Sequence, residues 1–176
     1  MSTMRNLLAE MEPEAREALL SHSRHVDFPA GTRIFRERQR ADRFWIIEYG
    51  MVELDLHVPG RQAAVVDILG YGELLGWSWM VPPYAWHLGA TATHPVRALE
   101  FDAEAVRELS AEDSAVGRAV STAVAAVIAS RLAAARTRIL DLFAPQGSGR
   151  PLVHARSNTP QRKVPWPPPR TPSPTS

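Results

Sequence analysis

The sequence predicts a mainly β fold, an antiparallel β-roll with flanking helices, followed by one long helix. Three observations predict it. The apolar period switches from helical to strand-like near Val26 and back to helical after Phe101. Turn residues cut the stretch between those points into many short segments. An unbroken helical pattern then runs from about Ser114 to Phe143. Short strands at close spacing argue for a roll or barrel rather than a layered parallel sheet.

Residues 4 to 21 place Leu7, Leu8, Met11, Ala15, Leu19 and Leu20 at helical spacing among Glu and Arg, the pattern of an amphipathic helix with one buried stripe. The strand segments read VDFPAG, TRIFRE, DRFWIIEYG, MVELDLHVPG, QAAVVDILGYG and GATATHPVRALEFD. In the fourth, Val52, Leu54 and Leu56 alternate with Glu53, Asp55 and His57, which predicts a half-buried strand. Pro59-Gly60 supplies the turn that follows. After Phe101, Asp102 and Ser110 stand where helix N-caps are wanted, with Asp113 three residues beyond Ser110 as a capping-box variant.

The last helical pattern puts Val116, Val120, Val124, Val127, Ile128, Leu132, Ala135, Ile139 and Leu142 on one face, with Arg118, Arg131, Arg136 and Arg138 mostly off it. Thirty residues at 1.5 Å each make a helix of about 45 Å, longer than a small roll can cover. A second copy of the same helix is the economical partner for the remainder, so a homodimer through 114–143 is expected. The plainer alternative is a helix packed wholly on its own domain. The predicted organisation is therefore 1–113 for the roll with its N-terminal helix, 114–143 for the pairing helix, and 144–176 for a Pro/Arg/Ser-rich tail.

That tail has no apolar period and is expected to be disordered. It contains a P-x-x-P-x-R match at Pro165, Pro168 and Arg170, a pattern that arises easily in such a composition. Its five basic residues and no acid leave residues 1–143 at −4 of the chain's net +1, so the folded part does not attract phosphate backbones as a whole. No cysteine is present, which excludes disulfides and thiolate chemistry and fits a cytoplasmic protein. No apolar run near 18 residues and no secretion signal is read, so no membrane association is expected.

Three stretches in this order carry a resemblance: Phe28–Leu54 with Gly31 and Gly50 at its turns, Leu69–Trp79 containing a G-E-L triplet, and Ser130–Phe143. Together they resemble the cyclic nucleotide-binding domain of the Crp/Fnr regulator family, over about residues 5 to 143. The resemblance implies a cupin-like roll, a pairing helix, no catalytic residues, and a phosphate-binding cassette that starts at Gly72. Gly72 would turn the chain into a short helix, leaving the amides of Glu73, Leu74 and Leu75 as free donors for an anion. The family pattern gives Glu73 the ribose 2′-hydroxyl.

The family also has an arginine for the cyclic phosphate, and here that position falls on Ala85 or Trp86, followed by His87. A charge-assisted bond to phosphate is worth about 1.5–3 kcal/mol. Losing a bidentate pair of them should lower cyclic AMP or cyclic GMP affinity by roughly two to four decades. A protonated His87 would replace the arginine in part. The ligand-site expectation is Gly72, Glu73, Leu74, Leu75, Ala85, Trp86 and His87. Arg38 stands where the family usually keeps a turn glycine, which is read as a longer loop. Trp77, Trp79, Tyr84 and Trp86 cluster beside the cassette, either lining a cavity for a planar ligand or closing the roll as core.

The functional expectation is a stand-alone regulatory or sensor homodimer with an optional small-molecule ligand. A transcription regulator is the alternative. The 33 residues after Phe143 lack the helical period of a DNA-reading domain, so no specific DNA binding is expected. A cupin-like metal enzyme would need converging histidines, and His22, His25, His57, His87, His94 and His154 are scattered, so no metal site is expected.

Overall fold

The computed structural model describes residues 7–9 and 11–143, with side chains to residue 140. Contacts divide the chain into two units, Met1–Arg136 and Thr137–Ser176. All that follows belongs to the first unit, apart from the last turns of the long helix. The polyproline-like match and His154 lie outside the described residues.

The first unit runs α1 (Pro13–Leu20), β1 (Ser23–Phe28), β2 (Arg33–Phe35), β3 (Arg43–Tyr49), β4 (Val52–Leu56), β5 (Ala64–Leu69), β6 (Leu74–Leu75), a 3-10 turn (Ser78–Met80), β7 (Gly89–Ala92), β8 (Val96–Asp102) and α2 (Ala103–Glu112). Helix α3 spans Ser114–Phe143, as its period predicts. The strands form two antiparallel four-stranded sheets, in the orders β1-β8-β3-β6 and β2-β7-β4-β5. This is the expected β-roll with flanking helices.

Helix α1 is shorter than its apolar spacing predicts. Leu7, Met11, Ala15 and Leu19 are all buried, so the stripe is right. Among the described residues regular helix nevertheless starts at Pro13, whose ring suits the first turn and whose missing N–H cannot serve an earlier one. The segment GATATHPVRALEFD is two strands, β7 and β8, parted by a turn at Thr93–Pro95. At the β3–β4 turn Gly50 has φ +92, and a Cβ there would meet the Pro95 carbonyl oxygen at 2.3 Å.

The alternation predicted for β4 holds as far as Leu54 and then reverses. The register against β5 shifts between Leu54 and Asp55. This irregularity turns Asp55 inward and leaves Leu56 40% exposed. The buried Asp55 carboxylate is gripped by both Nη atoms of Arg33, one of which also donates to Thr91 Oγ1 at 2.9 Å.

Asp102 caps α2 as predicted, its Oδ1 accepting from the amides of Glu104 (2.9 Å) and Ala105 (3.1 Å). Ser110 is not a cap. It lies inside α2, where its hydroxyl donates to the Val106 carbonyl at 2.7 Å. The cap of α3 is Asp113, accepting from Ala115 (2.8 Å) and Val116 (3.1 Å), while its own amide closes α2 on Leu109. At this elbow α3 passes so near α2 that a Cβ on Gly117 would lie 2.4 Å from the Ser110 carbonyl oxygen.

The apolar stripe of α3 is buried at Val116, Val120, Ala123, Val124 and Val127, then emerges. Leu132 is 51% exposed and Ile139 54%. The side chain of Leu142 falls outside the described residues. The stretch Ser114–Leu140 is long and apolar enough to cross a membrane by length and composition alone. The packing of its first half on the roll is that of a core helix.

Candidate functional site

The cassette residues are placed by β3 and β6. Gly72 takes φ +78 and its amide donates to Ile47 O at 2.7 Å. Glu73 returns the link, its carbonyl accepting from Ile47 N at 3.1 Å. Leu74 and Leu75 then pair with Ile46 and Trp45 as β6. The expected helix after Gly72 is therefore absent. Buried apolar side chains on both leucines favour a strand that seals the roll. The amide of Glu73 closes a turn on Gly70 O at 3.2 Å. The Glu73 carboxylate folds back onto the same turn, its Oε2 accepting from Gly70 N at 2.6 Å.

The second half of the expected site, residues 85–87, packs elsewhere along the cassette. Ala85 bridges to Arg40, and Trp86 exchanges backbone bonds with Gln39 and Arg38, each at 2.8 Å. Arg38 holds φ +68, the left-handed conformation that a glycine adopts without strain. The Trp86 ring lies against Gly76, where a Cβ would stand 2.5 Å from it, and stacks on Phe35 with centroids 4.0 Å apart. Exposed His87 stacks on Trp77 at 5.2 Å and meets the Ser78 hydroxyl at 3.0 Å.

The four clustered aromatics thus divide. Trp79, stacked on Phe44 at 4.4 Å, and Trp86 are core. Trp77 is half-buried, and Tyr84 carries the Arg107 guanidinium 4.6 Å above its ring. A cavity of about 430 Å³ opens nearby, lined by Phe28, Phe35, Trp45 and Trp86 with Arg24 and Arg43 at its rim. None of Gly72–Leu75 lines it. Glu100 anchors this rim, accepting from Arg24 Nε (2.8 Å) and Trp45 Nε1 (2.9 Å).

A cation does reach the cassette, from a place the sequence reading did not consider. Arg131 of α3 donates from Nη2 to Leu74 O, and Asp67 and Glu73 lie within electrostatic range. Burial lowers its pKa, and the two carboxylates oppose that shift. A guanidinium stays protonated at neutral pH regardless. Among the described residues no group of three His, Asp or Glu side chains converges on a metal position.

The family model of the cyclic nucleotide-binding domain matches residues 25–113. The chain belongs to that family. As a cyclic nucleotide-binding domain protein it is 29% identical over 140 residues to a CRP-like cAMP-activated global transcriptional regulator of Mycobacterium tuberculosis. That alignment covers 80% of this chain and 61% of the regulator, so the chain spans about three fifths of the length of this curated relative. The Thermus thermophilus catabolite activator protein superposes with a TM-score of 0.65 at 25% identity, covering 79% of this chain and 63% of the other. A cyclic nucleotide-binding domain from Methylobacillus flagellatus gives 0.69 at 18% identity over 76% and 79%. The fold and its kinship with CRP-like regulators are shared; the family is a regulatory one.

Proposed function

We propose that this cyclic nucleotide-binding domain protein is a cytoplasmic regulatory or sensor module, homodimeric through α3, in which the ligand cassette has lost its phosphate arginine. The observation that carries the reading is the emergence of the α3 stripe. Apolar residues buried on the roll up to Val127 continue as exposed Leu132, Ile139 and Leu140 in the same helix. An apolar helix with about half its length uncovered is suited to isologous pairing. The proposed ligand site, Gly72–Leu75 with Ala85–His87, keeps Glu73 but sets no arginine at Ala85 or Trp86, so tight cyclic AMP or cyclic GMP binding is not part of the proposal.

Sedimentation of the full chain tests the pairing: a dimer at micromolar concentration that becomes monomeric in Leu132→Glu/Ile139→Glu supports it, and a wild-type monomer overturns it. Calorimetric titration with cyclic AMP tests the cassette. Nanomolar binding lost in Glu73→Ala would show that the missing arginine is replaced.

A second reading, a DNA-binding regulator, is favoured only by the names of the relatives, and the chain covers 61% of the M. tuberculosis regulator. A gel shift with sequence preference at physiological salt would establish it.

A further inference from the structure

Arg131 is set apart from its neighbours on α3 by where its side chain goes. It follows Val124 by seven residues and Val127 by four, so it continues the stripe that faces the roll. From there its Nη2 donates to the carbonyl oxygen of Leu74 in β6. Asp67 in β5 and Glu73 at the cassette turn both act on its charge. The cassette strand and the long helix, remote in sequence, are therefore joined through one guanidinium, with Asp67 and Glu73 within electrostatic range.

The local charges decide what that group can do. One cation stands against two carboxylates, so the cluster sums to −1 and presents no net positive field to a phosphodiester. Arg131 is thus poorly placed to take over the anion-binding duty of the missing cassette arginine. A guanidinium held by a carbonyl, with two acids in electrostatic range, is well placed for a different one. It fastens the helix to the strand that begins the cassette. Glu73 is held in the same region by its own turn, where its Oε2 accepts from Gly70 N.

We propose that Arg131 is a built-in latch that fixes α3 on the cassette with no ligand present, so that the pose of the helix is set by a side chain of the chain itself. The proposal rests on the reading of α3 and the cassette as the regulatory pair. It carries a consequence for ligands: an anion entering beside Glu73 meets a cluster already neutralised in excess, and millimolar cyclic AMP leaves the helix pose as it was.

Hydrogen exchange read by mass spectrometry on the full chain tests this, using wild type, Arg131→Gln, Arg131→Met and Arg131→Lys. The Met variant keeps the apolar stem and serves if Gln does not fold. Expected is exchange about ten-fold faster over residues 124–136 in Gln and Met, partly restored in Lys, with α2 and β8 unchanged. Wild type should show the same protection with and without millimolar cyclic AMP. Wild-type protection retained in Gln or Met overturns the latch, as does wild-type exchange that slows about ten-fold on adding the nucleotide. Sedimentation of the same samples separates the two ideas. A wild-type monomer with a strong Arg131 effect sinks the pairing and leaves the latch standing; a dimer indifferent to Arg131 does the reverse.

Discussion

Arg38 shows how one residue can keep a turn while breaking the pattern that signals it. Its φ of +68 costs a non-glycine residue about 1 kcal/mol. Its amide must stay aligned with Trp86 O, so the turn cannot relax. Arg38→Gly should therefore raise stability by up to about 1 kcal/mol, less the extra entropy of the unfolded glycine chain, read as a higher urea midpoint at unchanged slope. The Arg33–Asp55 pair is the opposite case, a buried contact that fails badly when halved. Removing one partner strands the other charge, and Asp55→Ala is expected to cost about 3 kcal/mol in the same denaturation. An Arg33→Met/Asp55→Leu double variant should recover most of that loss, because both desolvation penalties disappear together.

At the scale of elements, the cap exchange between Ser110 and Asp113 can be checked directly. Asp113→Ala removes the acceptor for two α3 amides and is expected to cost about 1 kcal/mol, whereas Ser110→Ala should change little by the same melt. Period and turn residues made most of the architecture legible. The long helix and the buried stripe of α1 follow from spacing, the Asp102 cap from residue type, and the roll from its short strands together with the family resemblance. What was not legible depended on tertiary context. The inward turn of Asp55 needs the register shift against β5, which no local pattern in MVELDLHV announces. The strand at Leu74–Leu75 replaces a helix because β3 offers it a ladder. Arg131 did leave a signal. Its spacing from Val124 and Val127 puts it on the buried face, although its charge placed it off that face in the sequence reading.

For the whole molecule, the two halves of the candidate site are anchored to different parts of the roll. Glu73 is tied to the β5–β6 turn and lies in reach of Arg131, whereas Trp86 is tied to Phe35 and the Arg38 turn. Trp86→Ala empties a large buried volume and should destabilise the fold by about 3–5 kcal/mol in thermal or urea unfolding. The four aromatics near the cassette divide: Trp79 and Trp86 are buried, Trp86 also lines the cavity, and Trp77 and Tyr84 are half-buried.

The elbow at Asp113 and Gly117 has a mechanical meaning. One residue ends α2 and begins α3, and the two backbones pass with no room for a methyl group at Gly117. From Ser114 to Arg136 the helix is an arm of about 34 Å at 1.5 Å per residue. Tilting such an arm by about 10° about its base would carry its far end about 6 Å sideways, a displacement comparable to a full helical turn. The tight crossing therefore fixes the base of the rod, and any change of angle there is multiplied along its length.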